Sequence, residues 1–185
     1  MESKREEGVS DEELIFHVRQ GDRYALKQLF YRHYDALCRY SYSIGHQREL
    51  ARDAVQDLFF RLWEDRERLN ITHSVKAWLF RSTHNRTIDL LRKDRPWVLH
   101  DALDESLPEE NDRSEPADMG LVQRIWEIVE EMPDQRRQIF LLYRKEGLSY
   151  KEIAHLMSIT RKTVENHLSK ALQDIRDQLV RENRL

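Results

Sequence analysis

Cysteine, glycine and proline are all scarce in this sequence of 185 residues, and long apolar runs are missing. The single cysteine, Cys38, excludes a disulfide within the chain and argues against a thiolate zinc site. Five glycines and four prolines disfavour a turn-rich all-β fold. No run of about 18 apolar residues occurs, so we expect no membrane insertion. The acidic first residues lack the apolar segment of a secretory signal, and we therefore expect a cytoplasmic protein.

Charge is unevenly distributed along the chain, although the formal net charge is only −3. Residues 98–120 contain eight acids and one base. By contrast, residues 76–97 contain six bases and two acids, and residues 133–185 contain eleven bases and seven acids. Because an acidic middle cancels two basic regions, the small net charge does not exclude a nucleic-acid partner.

Helical periodicity of the apolar residues predicts an all-α fold made of two small domains. Residues 10–94 carry four such patterns with short joints, which is typical of a helical bundle. Residues 95–118 contain three of the four prolines and most of the acidic excess, so we predict a flexible acidic linker there. Residues 119–183 form the second predicted helical domain.

The stretch LSYKEIAHLMSITRKTVENHLSKAL, residues 148–172, predicts a helix-turn-helix. Ser149 and Glu152 have capping-box spacing, and Thr160 can cap a second helix after the break at SIT. Such a bend projects the second helix outward, where it can enter a DNA major groove. The apolar positions that we expect this helix to bury are Val164, Leu168, Ala171, Leu172 and Ile175.

The outward polar positions of the second helix are the candidate DNA-binding residues. They are Arg161, Lys162, Thr163, Glu165, Asn166, His167, Ser169 and Lys170. Long basic side chains suit phosphate oxygens, asparagine can pair with the edge of adenine, and glutamate can accept a hydrogen bond from cytosine. An ordinary solvated helix of an α-hairpin is the alternative interpretation.

Two stretches of the first domain also have binding patterns. KAWLFRSTHNRTIDLLRKDR, residues 76–95, interleaves basic and aromatic side chains, as in surfaces that bind a single nucleic-acid strand. Trp78 and Phe80, each taken alone, are better explained as core residues. In DAVQDLFFRLWE, residues 53–64, Asp53, Asp57 and Phe60 share one helical face that suits docking to a basic partner. Helix-terminal acids beside core residues are the alternative there.

Four motifs together resemble the extracytoplasmic-function (ECF) sigma factors of the sigma-70 family, which give bacterial RNA polymerase its promoter specificity. The motifs, in the order of that family, are ALKQLFYRHYDALCRY, DAVQDLFFRLWE, KAWLFRSTHNRTIDLLR and LSYKEIAHLMSITRKTVENHLSKALQDIR. The resemblance extends from about residue 20 to residue 178, and implies a transcription initiation factor that binds core polymerase and recognises −10 and −35 promoter elements. The chain departs from many relatives at residues 165–167, where a more basic cluster is often found.

The resemblance also implies which residues meet each partner. Docking to the β′ clamp helices of the polymerase is implied for Asp53, Gln56, Asp57, Phe60 and Trp63. Contact with the −10 element is implied for Asn70, His73, Lys76, Trp78, Arg81, Asn85, Arg86, Arg92 and Lys93. The second domain is implied to bind the −35 element. The β flap of the polymerase is a further contact implied for the chain, and an anti-sigma factor is the other partner expected.

Two other functions fit parts of the sequence. A stand-alone transcriptional regulator would use the same helix-turn-helix to bind an operator as a dimer. An enzyme is disfavoured, because the sequence contains no glycine-rich phosphate loop, no G-x-S-x-G and no H-E-x-x-H. Asp53 and Asp57 lie one turn apart and could hold Mg²⁺, but docking explains them more simply. We therefore expect no enzymatic activity, no cofactor and no metal.

Overall fold

The computed structural model describes residues 9–71, 74–93 and 119–182, whose regular elements are eight α-helices and one 3-10 helix. The predicted all-α fold is thus confirmed. The chain divides into two compact units, Met1–Asp94 and Arg95–Leu185. The predicted acidic linker, residues 95–118, and the predicted DNA-binding residue His73 lie outside the described residues.

The first unit contains four α-helices. They are α1 (Asp11–Arg19), α2 (Arg23–Gly45), α3 (Arg48–Glu64) and α4 (Val75–Lys93), with a 3-10 turn at Arg66–Arg68. The long helix α2 packs against α1, α3 and α4, and therefore forms the centre of the bundle. The largest side chains removed from solvent in this core are Leu29, Leu37, Leu62, Leu79 and Phe80.

Local signals explain where the helices of the first unit begin and end. Ser10 and Glu13 form the reciprocal capping box that opens α1, as the sequence predicts. The carboxylate of Asp22 accepts hydrogen bonds from the backbone of α2 at Tyr24 and Ala25. Helix α2 ends at Gly45, and the left-handed backbone of His46 (φ 52°) then starts the turn into α3.

The second unit contains the remaining four α-helices. They are α5 (Met119–Glu130), α6 (Asp134–Arg144), α7 (Tyr150–Leu156) and α8 (Arg161–Arg181). Helix α8 contacts α5, α6 and α7. The fully buried side chains at these contacts include Ile128, Val129, Ile139, Leu142 and Ile153. Pro133 separates α5 from α6, at the position that the sequence indicates.

In the part of the chain that the structure describes, no helix is both long enough and apolar enough to cross a bilayer.

Candidate nucleic-acid and polymerase interfaces

The break between α7 and α8 is a tight turn with a cap on each side. Ser149 Oγ accepts a hydrogen bond from the Glu152 backbone (3.3 Å), and the Glu152 carboxylate accepts one from the Ser149 backbone (2.9 Å). In the turn, Ser158 adopts a left-handed backbone (φ 54°), and the Ile159 N–H donates to the Ala154 carbonyl (3.0 Å). The predicted helix-turn-helix is confirmed, with Ser158 in the turn between its two helices.

Helix α8 begins at its predicted cap. Thr160 Oγ1 accepts a hydrogen bond from the Thr163 backbone (3.1 Å), and its hydroxyl lies 2.8 Å from that of Thr163. The first turn of α8 carries Arg161 and Lys162 on its exposed side. Since the N–H groups of a helix N-terminus and its dipole favour anions, these two cations add to the positive potential at this end of α8.

The buried stripe of α8 differs from the predicted one at a single position. Val164, Leu168, Ala171 and Ile175 are buried as expected, and Leu179 continues the stripe one turn later. Leu172 was expected in the stripe, but its side chain is 62% exposed. Its position is about 60° of helical rotation from the centre of the stripe, which places it at the margin of the packed face. The prediction of a buried Leu172 is therefore wrong.

Most of the candidate −35 residues lie on the open face of α8. Exposed side chains are those of Arg161, Lys162, Glu165, Asn166, Ser169 and Lys170, whereas Thr163 and His167 are half-buried. Lys162 and Glu165 form an ion pair 3.2 Å long one turn apart. Because exposed pairs of this kind are worth only about 0.5 kcal/mol, both side chains can turn to another partner at small cost.

His167 lies at the edge of the open face and is partly directed inward. Its Nδ1 atom is buried and has no hydrogen-bond partner among the described residues. Burial, together with the charges of Arg136 and Lys170, lowers the pKa of His167. We therefore expect a neutral imidazole at pH 7, which is less accessible to a partner than the exposed Glu165 and Asn166.

In the first unit, α3 presents Asp53, Gln56 and Phe60 on one exposed face. The phenyl ring of Phe60 is 64% exposed, although buried core residues lie just before and just after it in the sequence. A large apolar ring beside two polar residues on an open helix is typical of a protein-docking surface. These three members of the predicted polymerase site lie together.

Trp63 and Asp57, the other two members of that predicted site, have partners within the first unit. The Trp63 ring lies under the guanidinium groups of Arg66 and Arg23, 4.6 and 5.8 Å from the ring centroid. Asp57 Oδ2 lies 2.8 Å from Nε of Arg61 and 2.7 Å from Nε of Arg86. External binding at either residue therefore competes with contacts inside the bundle.

The described candidate −10 residues lie on helix α4 and in the loop before it, and they differ in solvent exposure. Asn85, Arg92 and Lys93 are exposed, as is Asn70 in the preceding loop; Lys76, Trp78, Arg81 and Arg86 are half-buried. Phe80 is completely buried and packs on Tyr40, so it is a core residue. The solvent-facing cations and the Trp78 ring could lie along one side of a nucleic-acid strand.

The flanks of α4 are held by polar contacts that sequence reasoning missed. On one flank, Arg86 pairs with Asp57 of α3. On another, His84 Nδ1 lies 3.0 Å from the hydroxyl of Tyr40 in α2, and Ser41 pairs with Thr87 at 2.7 Å. Burial and the charge of Arg81 lower the pKa of His84. No local signal marks these pairs, because each joins two helices distant in sequence.

The exposed aromatic residues of α2 were also missed by sequence reasoning. Tyr24 and Tyr31 are 67% and 69% exposed, and Lys27 lies between them with its ammonium 5.7 Å from the Tyr31 ring. Their spacing on the polar side of a predicted amphipathic helix was the signal that could have indicated them.

The described residues contain no group of three or more His, Cys, Asp or Glu side chains able to hold a metal ion. Asp57, which the sequence offered as one possible Mg²⁺ ligand, is instead compensated by two arginines.

Comparisons with known families place both units. Residues 29–96 match the family Sigma-70 region 2, and residues 122–175 match the family Sigma-70, region 4. The matches include the exposed face of α3, the whole of α4 and the helix-turn-helix. This chain belongs to the ECF group of sigma-70 factors.

Two relatives of this sigma factor are similar to it over nearly their full length. The ECF RNA polymerase sigma factor SigM of Bacillus subtilis is 28% identical over 153 residues, which are 82% of this chain and 93% of SigM. SigW of the same organism is 26% identical over 180 residues, which are 89% of this chain and 94% of SigW. Since sigma factors direct RNA polymerase to promoters, the chain is a promoter-specific transcription initiation factor.

Solved structures share the fold of this sigma factor. CnrH, in a complex with the cytosolic domain of CnrY, superposes with a TM-score of 0.60 at 24% identity, covering 92% of this chain and 97% of CnrH. RpoE of Bartonella quintana, in a complex with the anti-sigma factor NepR, also gives 0.60, at 21% identity, covering 83% of this chain and 95% of RpoE.

Proposed function

We propose that this sigma factor binds the polymerase and the two promoter elements through three separate surfaces. The exposed face of α3 docks on the β′ clamp helices of core RNA polymerase, α4 with the loop before it binds the single-stranded −10 element, and α8 binds the −35 element. The observation that carries this assignment is the exposure of polar and basic residues on α8 directly after the capped turn. That arrangement is the one that places a helix in a major groove.

At the −35 element, the proposal separates affinity from specificity. Arg161, Lys162 and Lys170 supply exposed cations for phosphates, and each phosphate contact adds affinity without regard to sequence. Asn166 and Glu165 are the exposed side chains able to pair with adenine and cytosine edges. A single good base contact is worth about 1–3 kcal/mol of discrimination.

At the −10 element, we assign unstacked bases to the half-buried ring of Trp78 and backbone phosphates to Arg81, Arg92 and Lys93. Asn85, which is exposed on the same helix, is the candidate for a hydrogen bond to a base edge. Unstacking a base costs a few kcal/mol, and stacking on an aromatic side chain returns about 1–3 kcal/mol, so the ring and the cations together can hold an opened strand.

At the polymerase, the proposed contact centres on Phe60, with Asp53 and Gln56 beside it. We further propose that the second unit meets the β flap and that an anti-sigma factor binds the free chain. The latter is supported by two structural neighbours, whose complexes contain the cytosolic domain of CnrY and the anti-sigma factor NepR. In this proposal the chain acts in the cytoplasm, by binding and without enzymatic activity.

The deciding experiment compares promoter binding by the chain alone with transcription by the chain plus core polymerase. We expect weak binding to duplex promoter DNA alone and specific initiation only when core is added. Sequencing the transcripts would give both promoter elements. Tight operator binding by a dimer without polymerase would instead support the stand-alone regulator.

Variants test the three surfaces separately. Phe60→Ala, and the double change Trp63→Ala with Asp57→Ala, should weaken core binding while circular dichroism shows an intact fold. Asn166→Ala should lower initiation about tenfold or more at promoters with the preferred −35 base and leave core affinity unchanged. An unaltered affinity of the Phe60→Ala chain for core would contradict the docking assignment.

A further inference from the structure

Asp57 and Arg86 belong to two different proposed surfaces, yet they form an ion pair with each other. Asp57 lies on the polymerase-docking helix α3, and Arg86 lies on the DNA-binding helix α4. Arg86 Nε is 2.7 Å from Asp57 Oδ2, and the two side chains are only 19% and 27% exposed. While this ion pair is formed, neither side chain can therefore bind an external group with its full charge.

The geometry of this pair favours exchange of partners. The Nε atom of Arg86 is buried and lacks an aligned hydrogen-bond acceptor among the described residues, so its contact with Asp57 is an ion pair without a good hydrogen bond. The same carboxylate oxygen also receives Nε of Arg61 at 2.8 Å. Two guanidinium groups thus share one acceptor, and Arg61, with its side chain 63% exposed, can retain Asp57 if Arg86 leaves.

We propose that Asp57 restrains Arg86 in the free sigma factor, and that a basic group of the polymerase which takes Asp57 releases Arg86 to a DNA phosphate. This inference rests on the proposed function, because it needs α3 to dock on polymerase and α4 to bind DNA. Polymerase binding and −10 binding are then coupled through one ion pair. By linkage, the DNA strand strengthens polymerase binding by the same factor.

The charges around the pair explain why binding of Asp57 to the polymerase should strengthen DNA binding. While paired, Arg86 contributes less positive potential at the surface of α4, since the carboxylate that it shares with Arg61 lies against its guanidinium. Once Asp57 is neutralised, the same guanidinium is unpaired and only half-buried. It can then neutralise one more phosphate of a single strand, which adds about 0.7 to the slope of log affinity against log salt concentration.

The first test measures binding of the free, full-length chain to a short fluorescent single strand carrying the −10 sequence, at several salt concentrations. Asp57→Asn should raise affinity about threefold or more and steepen the salt slope by about 0.7. Glu64→Gln is the matched control, because it removes one exposed carboxylate from the same helix and breaks no ion pair with a described residue. Asp57→Asn combined with Arg86→Gln should abolish this increase in affinity for the single strand.

The second test is the reciprocal one and does not depend on the folding of the Asp57 variant. Arg86→Gln leaves Asp57 unrestrained by α4, so affinity for core polymerase without DNA should rise about threefold. The complex of the Arg86→Gln chain with core polymerase should bind the single strand more weakly than the wild-type complex does. The slope of its log affinity against log salt concentration should also be shallower.

The proposal is overturned if Asp57→Asn and Glu64→Gln change strand binding equally, if the gain persists without Arg86, or if Arg86→Gln leaves core affinity unchanged. Initiation by the wild-type chain with core polymerase serves as the separate reference. Loss of that activity would refute the proposed function, whereas normal initiation with any of the negative results above would refute only the coupling.

Discussion

Two leucines one turn apart on α8 provide a direct test of the packing of the second unit. Leu168 is 4% exposed and Leu172 is 62% exposed, although the sequence places both in the same apolar pattern. Truncating a buried leucine to alanine removes its transfer free energy and leaves a cavity, at a cost of about 3 kcal/mol or more. For Leu172, the smaller buried area and the better helix propensity of alanine leave a cost of about 0.5 kcal/mol.

The appropriate assay is amide hydrogen exchange of the full chain, followed by mass spectrometry of peptides from α6, α7 and α8. A chain with two compact units need not unfold in a single transition, so a global melting curve would mix the units. Exchange reports the opening free energy of each helix separately. Leu168→Ala should accelerate exchange in all three helices by roughly a hundredfold, which corresponds to about 3 kcal/mol.

Leu172→Ala is the matched control, and we expect its exchange rates to stay within about threefold of the wild type. Equal losses for the two variants would mean that Leu172 is covered in solution and that the described packing of α8 is incomplete. A small loss for Leu168→Ala would refute the assignment of the buried stripe itself.

Three further predictions follow from the polar contacts. Ser149→Ala should cost about 1 kcal/mol of stability in α7, measured by the same exchange method, and Ser149→Asp should restore it because aspartate also caps helices. Failure of aspartate to restore protection would argue against the cap. The lowered pKa of His84 means that the unfolded chain binds the proton first, so stability should decline as pH falls below about 6.5. His84→Gln should flatten that decline in denaturant titrations between about pH 7 and 5, and an unchanged slope would contradict the prediction. Burial alone would raise the pKa of Asp11, but hydrogen bonds from His33 and Arg32 lower it overall. The contribution of Asp11 to stability is thus complete above about pH 4 and is lost as pH falls through its folded pKa. The Asp11→Asn chain should therefore be less stable than the wild type at neutral pH, and its stability should change less in acid. Parallel curves of stability against pH for the two chains would exclude this role.

Local signals explain why much of the architecture could be predicted. Each capping box consists of two residues three positions apart, as in Ser149 and Glu152, and its hydrogen bonds form whatever the rest of the chain does. Helical periodicity likewise needs only neighbouring turns, so the stripe from Val164 to Ile175 and the open face with Glu165 and Asn166 were predicted together.

Burial at the margins of a helix needs more than its own sequence. Leu172 has the residue type of a core position, but whether a neighbouring helix covers it depends on how α5, α6 and α7 pack against α8. The same packing turns His167 partly inward, while the residues beside it stay exposed. Apolar periodicity defines the centre of a buried face, and only the tertiary structure defines its edges.

The sequence by itself determined the helices, their caps, the turn between α7 and α8, and the order of the motifs, because each depends on residues within a few positions of one another. Only the tertiary structure decided that Tyr40 meets His84, 44 residues away, and that Asp57 of α3 pairs with Arg86 of α4. Such pairs depend on the angle and depth at which helices pack, which are set by the whole core. For that reason, two residues that the sequence assigns to separate binding surfaces are joined in the folded protein.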